Sequence, residues 1–194
     1  MDTPISTFKF KRMSWMLSLR DLFISPGEIM GEVDIQPGFR VLDYGCGTGS
    51  FAFEAARRAG PEGKVYALDI HPQALEKVQE AALKKGFANI ETIQTSCITQ
   101  VAGGSIDVVL FYYVLHWLTD PDCVLGELYR ILKPNGLLSF RDPYMKKDEI
   151  LRTVTERGWF RLSGKGEKTY RFTSIAREKA TVPSLPELKD TTPL

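Results

Sequence analysis

Between Val41 and Phe51 the chain reads VLDYGCGTGSF: an apolar run carrying a carboxylate at Asp43, then glycines at 45, 47 and 49. Glycine is costly inside regular structure, so this density implies unusual backbone angles or a ligand that comes very close. A dinucleotide loop needs G-x-G-x-x-G, and the position its third glycine would take is Ser50. Asp43 argues the same way. A carboxylate two residues before the first glycine repels a pyrophosphate in a low-dielectric cleft, but it suits an ammonium through a short, charge-assisted bond. The ligand asked for has a cation near the loop and an adenosine-like remainder. Asp69, which ends the apolar run VYALDI, is placed to accept hydrogen bonds from two ribose hydroxyls.

These residues carry a resemblance. VLDYGCGTGSF resembles motif I, (D/E)-x-G-x-G-x-G, of class I S-adenosylmethionine-dependent methyltransferases. Further on, SIDVV, VLH and RILKPNG resemble the later blocks of its small-molecule branch, of the ubiquinone/menaquinone-biosynthesis type. The similarity covers roughly residues 25 to 175. It implies S-adenosyl-L-methionine as cosubstrate, with Asp43 holding the methionine amino group, Asp69 the ribose and Ile70 packing on the adenine. Tyr44, Gly45, Cys46, Gly47, Gly49, Ser96, Cys97 and Phe111 complete the implied pocket. One departure concerns adenine: where the family often has a Gly-Asp-Ala segment, this chain has Gln94-Thr95-Ser96, so Thr95 replaces the acid. Ser96 or Cys97 is left to offer a backbone N–H or a hydroxyl.

Methyl transfer from a sulfonium is an in-line displacement, and holding the nucleophile in near-attack geometry supplies much of the acceleration. His116, one of two histidines, is the candidate general base; the competing reading is a structural ring packed beside Trp117. Tyr112 and Tyr113 are placed on the acceptor side, although strand alternation sends one of them toward the core. No metal is expected, because tyrosines follow the fourth strand and Asp142 stands alone after the fifth. The absence of an N-P-P-Y motif argues against nucleic-acid bases as acceptors. A small-molecule acceptor is therefore expected. The alternatives are a protein methyltransferase, a non-catalytic module that binds the cofactor, and, least favoured, a nicotinamide oxidoreductase.

The elements that must position these residues read as an α/β fold. The expected architecture is a Rossmann-like, doubly wound, mostly parallel seven-stranded sheet with an antiparallel C-terminal hairpin. Strands are predicted at FRVLDY, KVYALDI, NIETIQ, IDVVLFYY and GLLSFR, with WFRLSG and KTYRFTSIA as the hairpin. Helices are predicted at SFAFEAARRAG, after Pro72, at DCVLGELYRILK behind an Asp120 cap, and at KDEILRTVTERG. The expected division is an N-terminal helical segment over 1–24, the methyltransferase domain over 25–178, and an irregular tail over 179–194. The first segment, with Met13, Trp15, Leu19 and Phe23 beside Lys9, Lys11 and Arg12, could form a lid over the cleft, rest on a membrane surface or pack on the sheet edge.

Composition bounds the rest. The 194 residues carry 25 Lys and Arg against 24 Asp and Glu, a net charge of +1 that gives no global footprint for nucleic acid. No stretch reaches the roughly 18 apolar residues of a membrane span. The three cysteines, Cys46, Cys97 and Cys123, fit neither a disulfide framework nor a zinc site, and point to a reducing, cytoplasmic setting. The oligomeric state is left open.

Overall fold

The structure is a computed structural model, and residues 25–175 are described. The expected N-terminal helical segment and the C-terminal tail lie outside the described residues. In chain order the elements are α1 (Pro26–Met30), β1 (Arg40–Tyr44), α2 (Ser50–Ala59), β2 (Lys64–Asp69), α3 (Pro72–Lys85), β3 (Ile90–Gln94), β4 (Ile106–Tyr112), α4 (Pro121–Ile131), β5 (Leu132–Arg141), α5 (Lys147–Thr155), β6 (Phe160–Lys165) and β7 (Tyr170–Ser174). A single 3₁₀ turn, Leu115–Trp117, follows β4. Among the described residues no helix is long and apolar enough to cross a membrane.

The strands form one sheet in the order β3-β2-β1-β4-β5-β7-β6. The first five run parallel, while β7 pairs antiparallel with both β5 and β6. Strand order reverses between β1 and β4, which creates a crevice beyond their C-terminal ends where ligands bind in such sheets. Tyr44 lies opposite Leu68 on one side and Phe111 on the other, so β1, β2 and β4 end at one level.

Helices cover both faces, and the central strands are therefore apolar on both sides. Leu42, Tyr44, Val109 and Phe111 pack with Val124, Leu125 and Leu128 of α4. Val41, Ala67, Leu110 and Tyr112 pack with Ala52 and Ala55 of α2 and Val78 of α3. Burying each large side chain contributes about 1.5–3 kcal/mol. The predicted helix signals hold: the Asp120 carboxylate accepts from the Cys123 N–H at 3.1 Å, and Gly60 and Gly86 end α2 and α3 at positive φ.

Two local features go beyond the sequence reading. The Pro-Gly pair at 26–27 starts the short helix α1, which buries Ile29 and Met30 fully. Arg58 of α2 secures this helix by donating to the carbonyl oxygens of Met30 at 2.7 Å and Gly27 at 3.3 Å. KPNG, just ahead of the predicted strand GLLSFR, is an outward bulge within β5. Ile106 pairs with Leu132 and Val108 with Leu137, so the residues between make an excursion in which Asn135 takes φ 60°.

Candidate active site

The glycine turn lies where the sheet topology puts a ligand. Gly45, Gly47 and Gly49 have φ of 75°, 53° and 85°, all left-handed. Space is equally tight: a Cβ on Gly45 would stand 2.5 Å from Cγ2 of Val114. The N–H groups of Gly45 and Cys46 both donate to the Leu68 carbonyl at 2.8 Å, tying the turn to the end of β2. Asp69 completes that tie. Its Oδ2 accepts from the Gly47 N–H at 3.0 Å, and its Oδ1 meets both the backbone N–H and Nδ1 of His71 at 2.9 Å.

Asp43 and Asp69 are 2% and 7% exposed, so the turn sits between two buried carboxylates. Their influence registers on Cys46, whose thiol is pushed well above its usual range, first by burial and then by the charges of Asp43 and Asp69. Such a field opposes a pyrophosphate and favours a cation. The donor chemistry therefore fits a ligand with an ammonium or sulfonium and ribose hydroxyls. Ile70, half-buried, follows directly at the end of β2.

The loop after β3 is held by three ties. Tyr44, a buried core residue whose ring packs edge-on against Phe111, donates its hydroxyl to the Ser96 carbonyl at 2.6 Å. Cys97 forms a disulfide with Cys123 of α4. Glu127 of α4 accepts from the Thr99 N–H at 2.8 Å, the Thr99 hydroxyl at 2.6 Å and Nε of Arg130 at 2.6 Å. Arg130 also donates to the Val101 carbonyl at 2.7 Å.

The disulfide corrects one expectation: the argument from unpaired cysteines to a reducing compartment loses its premise. Spacing alone did not reveal the bond, because the two residues are 26 apart in sequence and meet only once α4 packs beside the loop. Cys46 is the free, buried cysteine. Tyr44 is corrected as well: its ring is used in the core and its hydroxyl in positioning the loop.

Glu127 supplies a pH test. Burial pushes its carboxyl up, but the hydrogen bonds from Arg130 and Thr99 outweigh that and hold it below its usual 4.5. A depressed folded-state value stabilises the fold fully above 4.5, and that stability disappears as pH falls through the lowered value. Thermal midpoints measured across the acid range should fall more steeply in the wild type than in Glu127→Gln, whose amide does not titrate.

At the end of β4, Phe111, predicted to line the cofactor pocket, and Tyr112, predicted on the acceptor side, are both core. Phe111 is fully buried, with ring centroids of Tyr44 and Phe140 at 5.4 and 5.7 Å. Tyr112 is 4% exposed, packs edge-on against Phe51 and shares a 2.6 Å hydrogen bond with the Ser139 hydroxyl. Burial, above all, raises its phenol far beyond the usual range. Neither side chain is presented to a ligand, because strand alternation packs one under each helical layer.

Tyr113 differs. It leaves β4 at φ 62°, an angle an aromatic residue holds only when its surroundings enforce it. Here its N–H donates to the Arg141 carbonyl at 2.7 Å and its hydroxyl accepts from Nε of Arg141 at 2.7 Å.

His116 does not simply pack beside Trp117. Its Nδ1 lies 2.7 Å from Oδ2 of Asp142, and its backbone N–H donates to the same oxygen at 3.2 Å. Asp142, expected as the lone carboxylate after the fifth strand, thus has a histidine as its partner. The signal was its place directly after β5, beside the residues that leave β4, since β4 and β5 pair in parallel through Tyr112 and Arg141. Among the described residues no group of three or more His, Cys, Asp or Glu could hold a metal ion.

Comparison with known proteins places this geometry. Residues 35–159 match the family model described as "Methyltransferase domain". A demethylmenaquinone methyltransferase of Geobacillus kaustophilus is 30% identical over 129 residues, covering 66% of this chain and 55% of that protein. An arsenite methyltransferase of Aquipseudomonas alcaligenes is 33% identical over 130 residues, covering 59% of this chain and 38% of that protein. The chain thus spans about half the length, or less, of these curated relatives. Among solved structures, a SAM-dependent methyltransferase from Aquifex aeolicus superposes with a TM-score of 0.74 at 21% identity, covering 89% of this chain and all of the other, which shows a shared fold. The chain belongs to the methyltransferase-domain family and shares its fold with a solved S-adenosylmethionine-dependent methyltransferase.

Proposed function

We propose that this chain binds S-adenosylmethionine and transfers its methyl group to a small-molecule acceptor. The observation that carries this reading is the left-handed glycine turn set between the buried carboxylates Asp43 and Asp69. When bound, the cosubstrate supplies a methyl group on a sulfonium, open to in-line displacement. Asp43 pairs with its ammonium and Asp69 accepts from its ribose, while the tied loop from Ser96 to Thr99 borders the base. His116 is the proposed proton acceptor. Relatives named for demethylmenaquinone and arsenite support an acceptor of small size.

Isothermal calorimetry with S-adenosylhomocysteine and, separately, NADH tests the reading. S-adenosylhomocysteine should bind with a measurable heat and NADH should not. Tight NADH binding without S-adenosylhomocysteine binding would overturn it in favour of an oxidoreductase.

A further inference from the structure

The carboxylate of Asp142 is fully buried and takes three donors: Nδ1 of His116 at 2.7 Å, the His116 N–H at 3.2 Å and the Tyr144 N–H at 3.3 Å. A buried carboxylate is costly unless its hydrogen bonds are satisfied, and removing it strands its partners. This one joins the exit of β4 to the exit of β5 and orients a histidine ring. A carboxylate only accepts, so the ring must give it the Nδ1 proton, which leaves Nε2 as the basic nitrogen of the neutral ring. Among the described residues Nε2 has no hydrogen-bond partner, and the side chain is 17% exposed.

Two exposed aromatic rings flank this histidine. Trp117 is 58% exposed and Tyr144 74%, with ring centroids 4.9 and 4.8 Å from that of His116. Large exposed rings grouped around a polar atom mark a recognition surface. Asp142 fixes one wall as well as the base, since the Tyr144 N–H rests on its Oδ1.

We propose that Asp142 is a positioning residue that holds His116 as proton acceptor for a flat, phenol-type hydroxyl acceptor gripped between Trp117 and Tyr144. This rests on the methyltransferase reading. The acceptor hydroxyl gives its proton to Nε2 as its oxygen forms a bond to the methyl carbon. The electron pair of the breaking S–CH₃ bond goes to sulfur, leaving the neutral thioether. The imidazolium is then stabilised by Asp142 until the proton passes to water.

The test uses the full chain, two phenols and the variants Asp142→Asn and His116→Gln, at about pH 8, where 4-nitrophenol is largely ionised and 4-methoxyphenol is not. The wild type should methylate both. Each variant should lose about 10²–10³ in kcat on 4-methoxyphenol with little change in KM, and less than about tenfold on 4-nitrophenol, whose oxygen needs no base. ¹⁵N NMR of the free protein supplies a readout that does not depend on turnover. The neutral His116 ring should carry its proton on Nδ1 in the wild type and on Nε2 in Asp142→Asn.

Equal losses on the two phenols, or an unchanged tautomer, would reduce the pair to a structural tie. A wild type that binds S-adenosylhomocysteine but methylates neither phenol would overturn the acceptor class. A wild type that does not bind S-adenosylhomocysteine would instead defeat the underlying reading, and this inference with it.

Discussion

Asp69→Ala should lower the affinity for S-adenosylhomocysteine by at least about a hundredfold while the protein still melts cooperatively. A hydrogen bond to a charged group contributes about 1.5–3 kcal/mol, so losing two ribose bonds alone accounts for that factor. The substitution also acts on the turn itself. Without the carboxylate, the Gly47 N–H loses its 3.0 Å acceptor and His71 loses its partner for both ring and backbone. Gly47 then has less to hold it at φ 53°, and the turn relaxes away from the approach a ligand needs. Asp69→Asn separates the two contributions: it retains one acceptor oxygen, and its loss of affinity should fall between wild type and Asp69→Ala. Calorimetry reads the affinity and a thermal melt reports the fold. An unchanged affinity in Asp69→Ala would remove the ribose role.

What the sequence disclosed and what it hid follow from how local each signal is. The strands, the glycine turn and the caps at Asp120, Gly60 and Gly86 depend on neighbouring residues, and all were legible. The central strands were also legible as apolar, but not which face each residue takes. Phe111 and Tyr112 read as pocket residues because they lie near the C-terminal end of β4; pleating sends both into the core. The pairs that organise the site are non-local. Tyr44 reaches Ser96, Cys97 reaches Cys123, and His116 reaches Asp142 across 26 residues of sequence. Composition gave no warning of these, because each partner alone has an ordinary explanation: a core tyrosine, a stray cysteine, a solvated acid. Topology supplies what was missing. Once β1, β2, β4 and β5 are parallel neighbours, the residues that leave them must meet.

The largest stability effect should come from the disulfide. Reducing Cys97–Cys123, or replacing Cys123 by Ser, frees a loop spanning 26 residues in the unfolded chain. The chain-entropy account of such a closure gives about 3.5 kcal/mol, and for a domain of this size that lowers the melting midpoint by roughly 10 °C. Differential scanning calorimetry with and without dithiothreitol measures it directly, and an unchanged midpoint would refute the contribution. The effect on cofactor affinity should be smaller, for a structural reason. The loop retains two further ties, the Tyr44 hydroxyl on the Ser96 carbonyl and the Glu127 carboxylate on Thr99. Either α4 anchor, covalent or polar, can hold the loop near the β3 exit while the other is broken. Removing both should release it. A double-mutant cycle of Cys123→Ser with Glu127→Gln, read as S-adenosylhomocysteine affinity, should therefore be non-additive, the double variant losing more than the two single losses combined. Strict additivity would mean that the two anchors hold independent parts of the loop, and that the stretch bordering the cofactor depends on only one of them.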